Sequence, residues 1–264
     1  MGGQLEAGAI AAITYARKLM MAPVGVIGQA VGAALLPTLT TFYQRDARTD
    51  FDQILTTTLR ATLALGLLAG GALVVLALPI VQLVFEHGRF TSENAQQVSG
   101  LLVILGLAVP GWVLQQVAVR GFYARGEMWR AMALSTVIAL SVFPLYLWGS
   151  STAGIRGLAT ASAVAITVNA IITLVWLRLR AGTPNLSALA ETFARTLLIT
   201  LLSAVTTVAA LQSLDGPLGL TRSLTHFLIG GFVYTLTALI ATRFIGDPPL
   251  RNTLNRLLSK LKRT

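Results

Sequence analysis

Long apolar stretches separated by short polar gaps dominate this sequence, and its basic residues fall in alternate gaps. One set of gaps holds Arg45, Arg48 and Arg60, then Arg120, Arg125 and Arg130, then Arg178, Arg180 and Arg195, and last Arg243, Arg251, Arg256, Lys260, Lys262 and Arg263. The other set holds only Arg17, Lys18, Arg89, Arg156 and Arg222. Loops on the cytoplasmic side of a membrane carry the Lys and Arg excess, so the pattern predicts a polytopic membrane protein with its C-terminus inside. Hydrophobic residues make up 55% of the chain and charged ones 11%, which makes lipid the expected solvent for most of it.

A spanning helix needs about 20 mostly apolar residues. Stretches of that reach run over residues 23–43, 55–85, 97–120, 131–149, 154–177, 192–213 and 222–243. Ahead of them a shorter apolar piece, 7–16, ends in Arg17-Lys18, meets Pro23, and reads as the last turns of a helix. Hydrocarbon offers no hydrogen-bond partner to a bare backbone, so the fold class expected is an all-α polytopic membrane helix bundle. Thr91-Ser92-Glu93 reads as an N-cap followed by an acidic first turn. Pro23, Pro37, Pro79 and Pro110 are placed to interrupt or end helices, and broken helices line binding cavities in transporters. Beyond Asp247-Pro248-Pro249, Leu250, Leu254, Leu257, Leu258 and Leu261 share one helical face with basic residues opposite, the pattern of an interfacial helix resting on anionic headgroups.

Several function classes are disfavoured. A net charge of +10 could suggest nucleic acid, but the charge sits at helix ends instead of on one basic face, so no nucleic-acid partner is expected. The chain has no Cys, and His87 and His226 are isolated, so no metal site is expected. Asp46, Asp50 and Asp52 read as a solvated loop without a partner base. Gly66, Gly70 and Gly71 lie inside an apolar stretch with no following Lys-Ser or Lys-Thr, so no ATP-binding loop is formed. Neither an enzyme nor a cofactor is expected. The opening Met1-Gly2-Gly3-Gln4 has no basic region before an apolar core, and no cleavable signal is expected.

Ionisable residues within a bilayer are costly and usually face a cavity or a partner, which makes Arg17 and Lys18 the first candidates for chemistry. Neighbours on a helix point about 100° apart, so the two cannot face one groove equally. Their long stems would also let both snorkel to a membrane surface as an anchor. Gln29, Gln115, Gln116 and Asn169 lie in or near apolar spans, where interhelical hydrogen bonds explain them and a polar cavity wall is the alternative. The small residues of Gly157-Leu158-Ala159-Thr160-Ala161-Ser162-Ala163 suit close helix packing.

Several runs together resemble the lipid II flippase (MurJ/MviN) family. They are Tyr15-Ala16-Arg17-Lys18-Leu19 with Pro23-Val24-Gly25, Ala33-Ala34-Leu35-Leu36-Pro37-Thr38-Leu39, and Leu83-Val84-Phe85 with Gly88-Arg89-Phe90-Thr91. Gly121-Phe122-Tyr123-Ala124-Arg125 follows, and then Gly157-Leu158-Ala159-Thr160-Ala161-Ser162 with Asn169-Ala170. The resemblance implies a transporter with two six-helix lobes around a central cavity and two extra C-terminal helices. It covers only the second half of that plan: residues 1–20 as the end of a transmembrane helix, 21–181 as the rest of the second lobe with five helices, 190–246 as the two extra helices, and 247–264 as a basic amphipathic tail. The first lobe would be a separate or missing part.

The function implied is flipping of a lipid-linked peptidoglycan precursor across the bacterial cytoplasmic (inner) membrane by alternating access. The partners implied are an undecaprenyl pyrophosphate-linked substrate, membrane lipids and the first lobe. Where the family's cavity motif carries an Arg this sequence has Lys18, a point-charge contact for phosphate. Where the family often has an acid it has Arg17, so both are candidate substrate-binding residues, with Gln29, Gln115 and Asn169 as candidate cavity polar groups. Two alternatives stand beside this reading: an exporter of another undecaprenyl-linked oligosaccharide, and a non-transporting membrane interaction module.

Overall fold

The computed structural model describes residues 2–86, 90–214 and 220–247, and throughout them the regular structure is helical. Helix α1, Gly2–Val24, passes through one π-helical turn, Gly25–Gln29, into α2, Ala30–Gln44. Then come α3, Arg48–Val75; α4, Ala77–Phe85; α5, Ser92–Gly106; α6, Val109–Ala124; α7, Met128–Ala181; α8, Leu186–Gln212; and α9, Leu220–Ile245. His87, Arg89 and the amphipathic tail with its five basic residues, Arg251 to Arg263, lie outside the described residues.

Counting α1 and α2 as one, five helices are long and apolar enough to cross a membrane, and α5 with α6, bent by 44°, has the length and composition for a sixth. Pro110 stands in the first turn of α6 and has no N–H for the Gly106 carbonyl, which places the bend between those residues. Helix α7 spans 54 residues. Straight, it would be about 80 Å long against a hydrocarbon core of about 30 Å. It reverses instead at Ala153 and Gly154, where φ at Gly154 is 55°, so its two arms are separate crossings.

Two sequence expectations need correction. The chain does not break near Pro23: α1 and α2 form one continuous rod across residues 20 and 21. Proline removes a single backbone donor, and here the helix continues past Pro23 into a π-helical turn without ending. The stretch 55–85 is also not one helix, because Leu76 leaves helical geometry and α4 restarts with Pro79 in its first turn. Thr91 does cap α5, its hydroxyl accepting from the Asn94 amide at 3.3 Å.

Two apolar clusters hold the bundle. One gathers Leu39, Leu55, Leu59, Phe122 and Leu177 from α2, α3, α6 and the second arm of α7. The other gathers Ala16, Met20, Val24, Val81 and Leu102 from α1, α4 and α5. Outward faces stay apolar, with Leu140, Trp148, Leu179, Phe232 and Phe244 all more than half exposed. In water such a surface would aggregate; in lipid it is the solvated face. Tight backbone approach closes the α7 hairpin, where a Cβ built on Gly157 would stand 1.8 Å from the Gly149 carbonyl oxygen. Gly157→Ala is expected to lower stability by at least about 2 kcal/mol, because backbone cannot yield as a side chain does. Thermal unfolding in detergent, with Gly100→Ala as a control having open space around it, checks this.

A buried ion cluster ties α8 and α9 to α3. Asp247, just past α9 and 1% exposed, accepts from Arg60 Nη2 at 2.9 Å and lies against the Thr192 hydroxyl. Arg60 Nε also donates to Thr192 Oγ1 at 2.8 Å, and Arg195 Nη1 stands 3.5 Å from the second carboxylate oxygen. Burial alone would raise the Asp247 pKa, but the hydrogen bonds from Thr192 and Arg60 and the two guanidinium charges outweigh it and hold the group below its ordinary 3.8. A folded pKa depressed in this way stabilises above the unfolded value and is lost as pH falls through the folded one. Asp247→Asn is therefore expected to cost about 2 kcal/mol near neutral pH by leaving the part-buried Arg60 without its partner. The gap in melting temperature from the parent chain should close as pH is taken below 3.8.

Candidate functional site

A cleft of about 630 Å³ opens between α1, the α5–α6 bend and the two arms of α7. Ile13, Thr14, Arg17 and Met20 face it from α1, with the spacing of one helical face. The α5–α6 bend contributes Trp112, while Ser135 and Tyr146 come from the first arm of α7 and Ser162 and Asn169 from the second. The walls are mainly apolar, and Arg17 is the one charged residue among those lining it. No carboxylate pairs with Arg17 among the described residues.

Burial sets the phase of α1. Ala12, Ala16, Met20 and Val24 are buried and four residues apart, which orients this row to the core. Arg17, one step on, turns to the cleft, and Lys18, a further step round, does not line it. Lys18 is exposed, with Nζ 5.9 Å from the centre of the Tyr15 ring. That ring packs on Phe85 at 4.8 Å and Phe90 at 6.0 Å. The two adjacent cations thus serve different surfaces, as their angular separation requires.

The amides are dispersed. Asn169 lines the cleft, with its Oδ1 accepting from Thr173 at 3.4 Å. Gln29 is exposed in the π-helical turn. Gln115 is 8% exposed inside α6 and away from the cleft, and its Oε1 has no hydrogen-bond partner. The cleft therefore brings together Arg17 and Asn169 and leaves Lys18, Gln29 and Gln115 elsewhere. Sequence reasoning passed over Thr14, Trp112, Ser135 and Tyr146, whose only signal is their phase on helices that had first to be oriented. Chemically the arrangement offers a guanidinium, hydroxyls and an amide within an apolar wall, a set that suits an anion whose remainder is apolar.

Wetness of the cleft is open to a direct test, because the chain has no cysteine of its own. Ser162→Cys is expected to react with a water-soluble, membrane-impermeant thiol reagent, and Leu140→Cys, 71% exposed on the outer face, to be protected by lipid. Protection of both positions alike would show that the cleft holds no water.

Comparison with known proteins is consistent with this architecture. The family model described as lipid II flippase MurJ matches residues 3–229. A probable lipid II flippase MurJ of Rhizobium meliloti (strain 1021) is 35% identical over 179 residues, 64% of this chain and 32% of the relative. Its counterpart from Rhizobium tropici is 33% identical over 171 residues, 62% of this chain and 31% of the relative. A solved lipid II flippase MurJ in an inward closed conformation superposes with a TM-score of 0.69 at 22% identity, over 89% of this chain and 47% of that one, a likeness of fold. The chain matches about a third of the length of these curated relatives.

Proposed function

The chain belongs to the lipid II flippase MurJ family, and from that premise we propose that it acts in flipping a lipid-linked peptidoglycan precursor across the bacterial cytoplasmic membrane. Helices α1 to α7 form the second lobe of a two-lobe transporter, and α8 and α9 are its two added helices. A first lobe completes the transport path, since alternating access needs two halves moving about one site. The end of the bundle bearing Arg45, Arg125, Arg180 and Arg195 faces the cytoplasm, in keeping with the excess of basic residues in those gaps.

The observation that carries this reading is the family match over residues 3–229, joined to the single guanidinium in an otherwise uncharged cleft. A pyrophosphate linkage is met by Arg17 through a forked pair of donors and by Lys18 as a point charge. Arg17 serves the interior cleft with Asn169, while Lys18 serves the exposed face of α1, where the first lobe would stand. Gln115 belongs to the helix packing around that path, while Gln29 stays exposed in the π-helical turn. The chemistry is movement of a headgroup, which asks for charge and shape from the protein and for no bond to be made or broken.

Complementation tests it. In a bacterium depleted of its own lipid II flippase, this chain with a matched first half is expected to restore growth, and this chain alone to fail. Arg17→Ala or Lys18→Ala in the pair is expected to lower rescue at least about tenfold, as loss of a charge-assisted phosphate contact should. Undiminished rescue by both variants would remove these residues from the site, and absence of rescue by the pair would point to another lipid-linked cargo.

A further inference from the structure

At the basic end of the bundle, well away from Arg17, a second cleft of about 440 Å³ lies where three connections meet. Tyr43 comes from the end of α2, Arg48 and Asp52 from the start of α3, Arg125 from the α6–α7 turn, and Arg180 and Thr183 from the exit of α7. Segments distant in sequence thus bring three guanidinium groups to one hollow, with the carboxylates of Asp46 and Asp52 beside them.

The charges there are unevenly satisfied. Arg48 Nε donates to Asp46 at 2.9 Å, and Asp52 accepts from Thr56 at 3.2 Å. Glu127 is shared, at 3.3 Å from Arg125 and 3.0 Å from Arg130. No carboxylate pairs with Arg180 among the described residues. Two buried polar atoms on the cleft residues also lack hydrogen-bond partners: Arg125 Nε, and the Oγ1 of Thr183, a residue only 3% exposed. Buried donors left unmade are costly, and groups so placed call for an acceptor from outside the protein.

The acceptor that suits two guanidinium groups and a hydroxyl is a phosphate, whose oxygens take forked and single donors together. Depth in the membrane narrows its source. The Tyr43 ring, 47% exposed, borders the cleft and carries the Arg125 guanidinium 5.7 Å from its centre. Nearby Trp129 is 67% exposed. Exposed Tyr and Trp beside arginines at the end of a bundle mark headgroup level. We propose that this cleft, formed by the α2–α3 turn, the α6–α7 turn and the α7–α8 connection, binds the phosphate of an anionic lipid headgroup. The site is separate from the transport path and does not rest on the nature of the cargo. Its occupant would bridge three loops of the bundle and join them at the membrane surface.

Native mass spectrometry of the full chain, released from detergent containing equal phosphatidylglycerol and phosphatidylcholine, tests the proposal. The parent chain should retain phosphatidylglycerol in preference, and Arg180→Gln and Thr183→Val should each reduce that preference about fivefold, the scale of one lost charge-assisted contact. Arg243→Gln, an exposed basic residue outside the cleft, should leave it unchanged. Thr183→Val keeps side-chain volume, and Arg180 is exposed, so both variants are expected to fold. A parallel titration with pyrophosphate separates the sources: saturable binding that the cleft variants abolish, without lipid preference, assigns the cleft to a soluble phosphate compound. Identical lipid retention and identical pyrophosphate binding in all three variants would overturn the proposal.

Discussion

In hydrocarbon a backbone amide finds a partner only within its own segment or against other protein. Each departure from regular helix in this chain therefore has to be sheltered. The break at Leu76 is buried, and so is Ala108 at the α5–α6 bend. The α7 reversal is braced by carbonyl-to-glycine contact between Gly149 and Gly157. Prolines that would end helices in water are here accommodated by bends and a widened turn, because stopping a helix in lipid exposes more than it relieves.

Ionic contacts obey the same rule from the other direction. Asp247 can be buried because the part-buried Arg60 meets it there, with Thr192 and Arg195 beside them. This cluster fastens the end of α9 to α3 across 187 residues of sequence. Along the same seam, Tyr234 donates to the Leu68 carbonyl at 2.8 Å. Gly71 leaves room for the approach of both Thr200 and Tyr234. Helices α8 and α9 are thus held to α3 by directional contacts where apolar burial offers little, lipid being as apolar as the neighbouring helix.

Much of the fold was legible because membrane crossing is a matter of length and of where charge stops. The apolar stretches reappear as helices, and loops from the basic set of gaps meet at one end, as the contact of Arg125 with Tyr43 illustrates. The continuity through Pro23 and the break at Leu76 were not legible, since both depend on what packs around one missing donor. For the site, adjacency of Arg17 and Lys18 shows only that they diverge. Which of them meets the cleft depends on the buried row Ala12, Ala16, Met20 and Val24, recognisable as a core face only once its neighbours are known. Asp247 gave no signal at all, being a lone acid whose partners are far away in sequence.

The π-helical turn has a consequence for how this rod can vary. An α turn closes on the fourth residue and a π turn on the fifth, so Gly25–Gln29 holds about one residue more than its length requires. A helical wheel drawn straight through it overruns by about 100°. The face bearing Arg17 and the face bearing Gly28 and Gly32, which meets Gln116 and Arg120, are therefore aligned through a stored extra residue. Loss of one residue inside that turn would restore ordinary winding and keep both faces in phase. Loss of one between Arg17 and Val24 would swing the cation a quarter turn from its cleft, so two indels a few positions apart, equal in length, are opposite in effect.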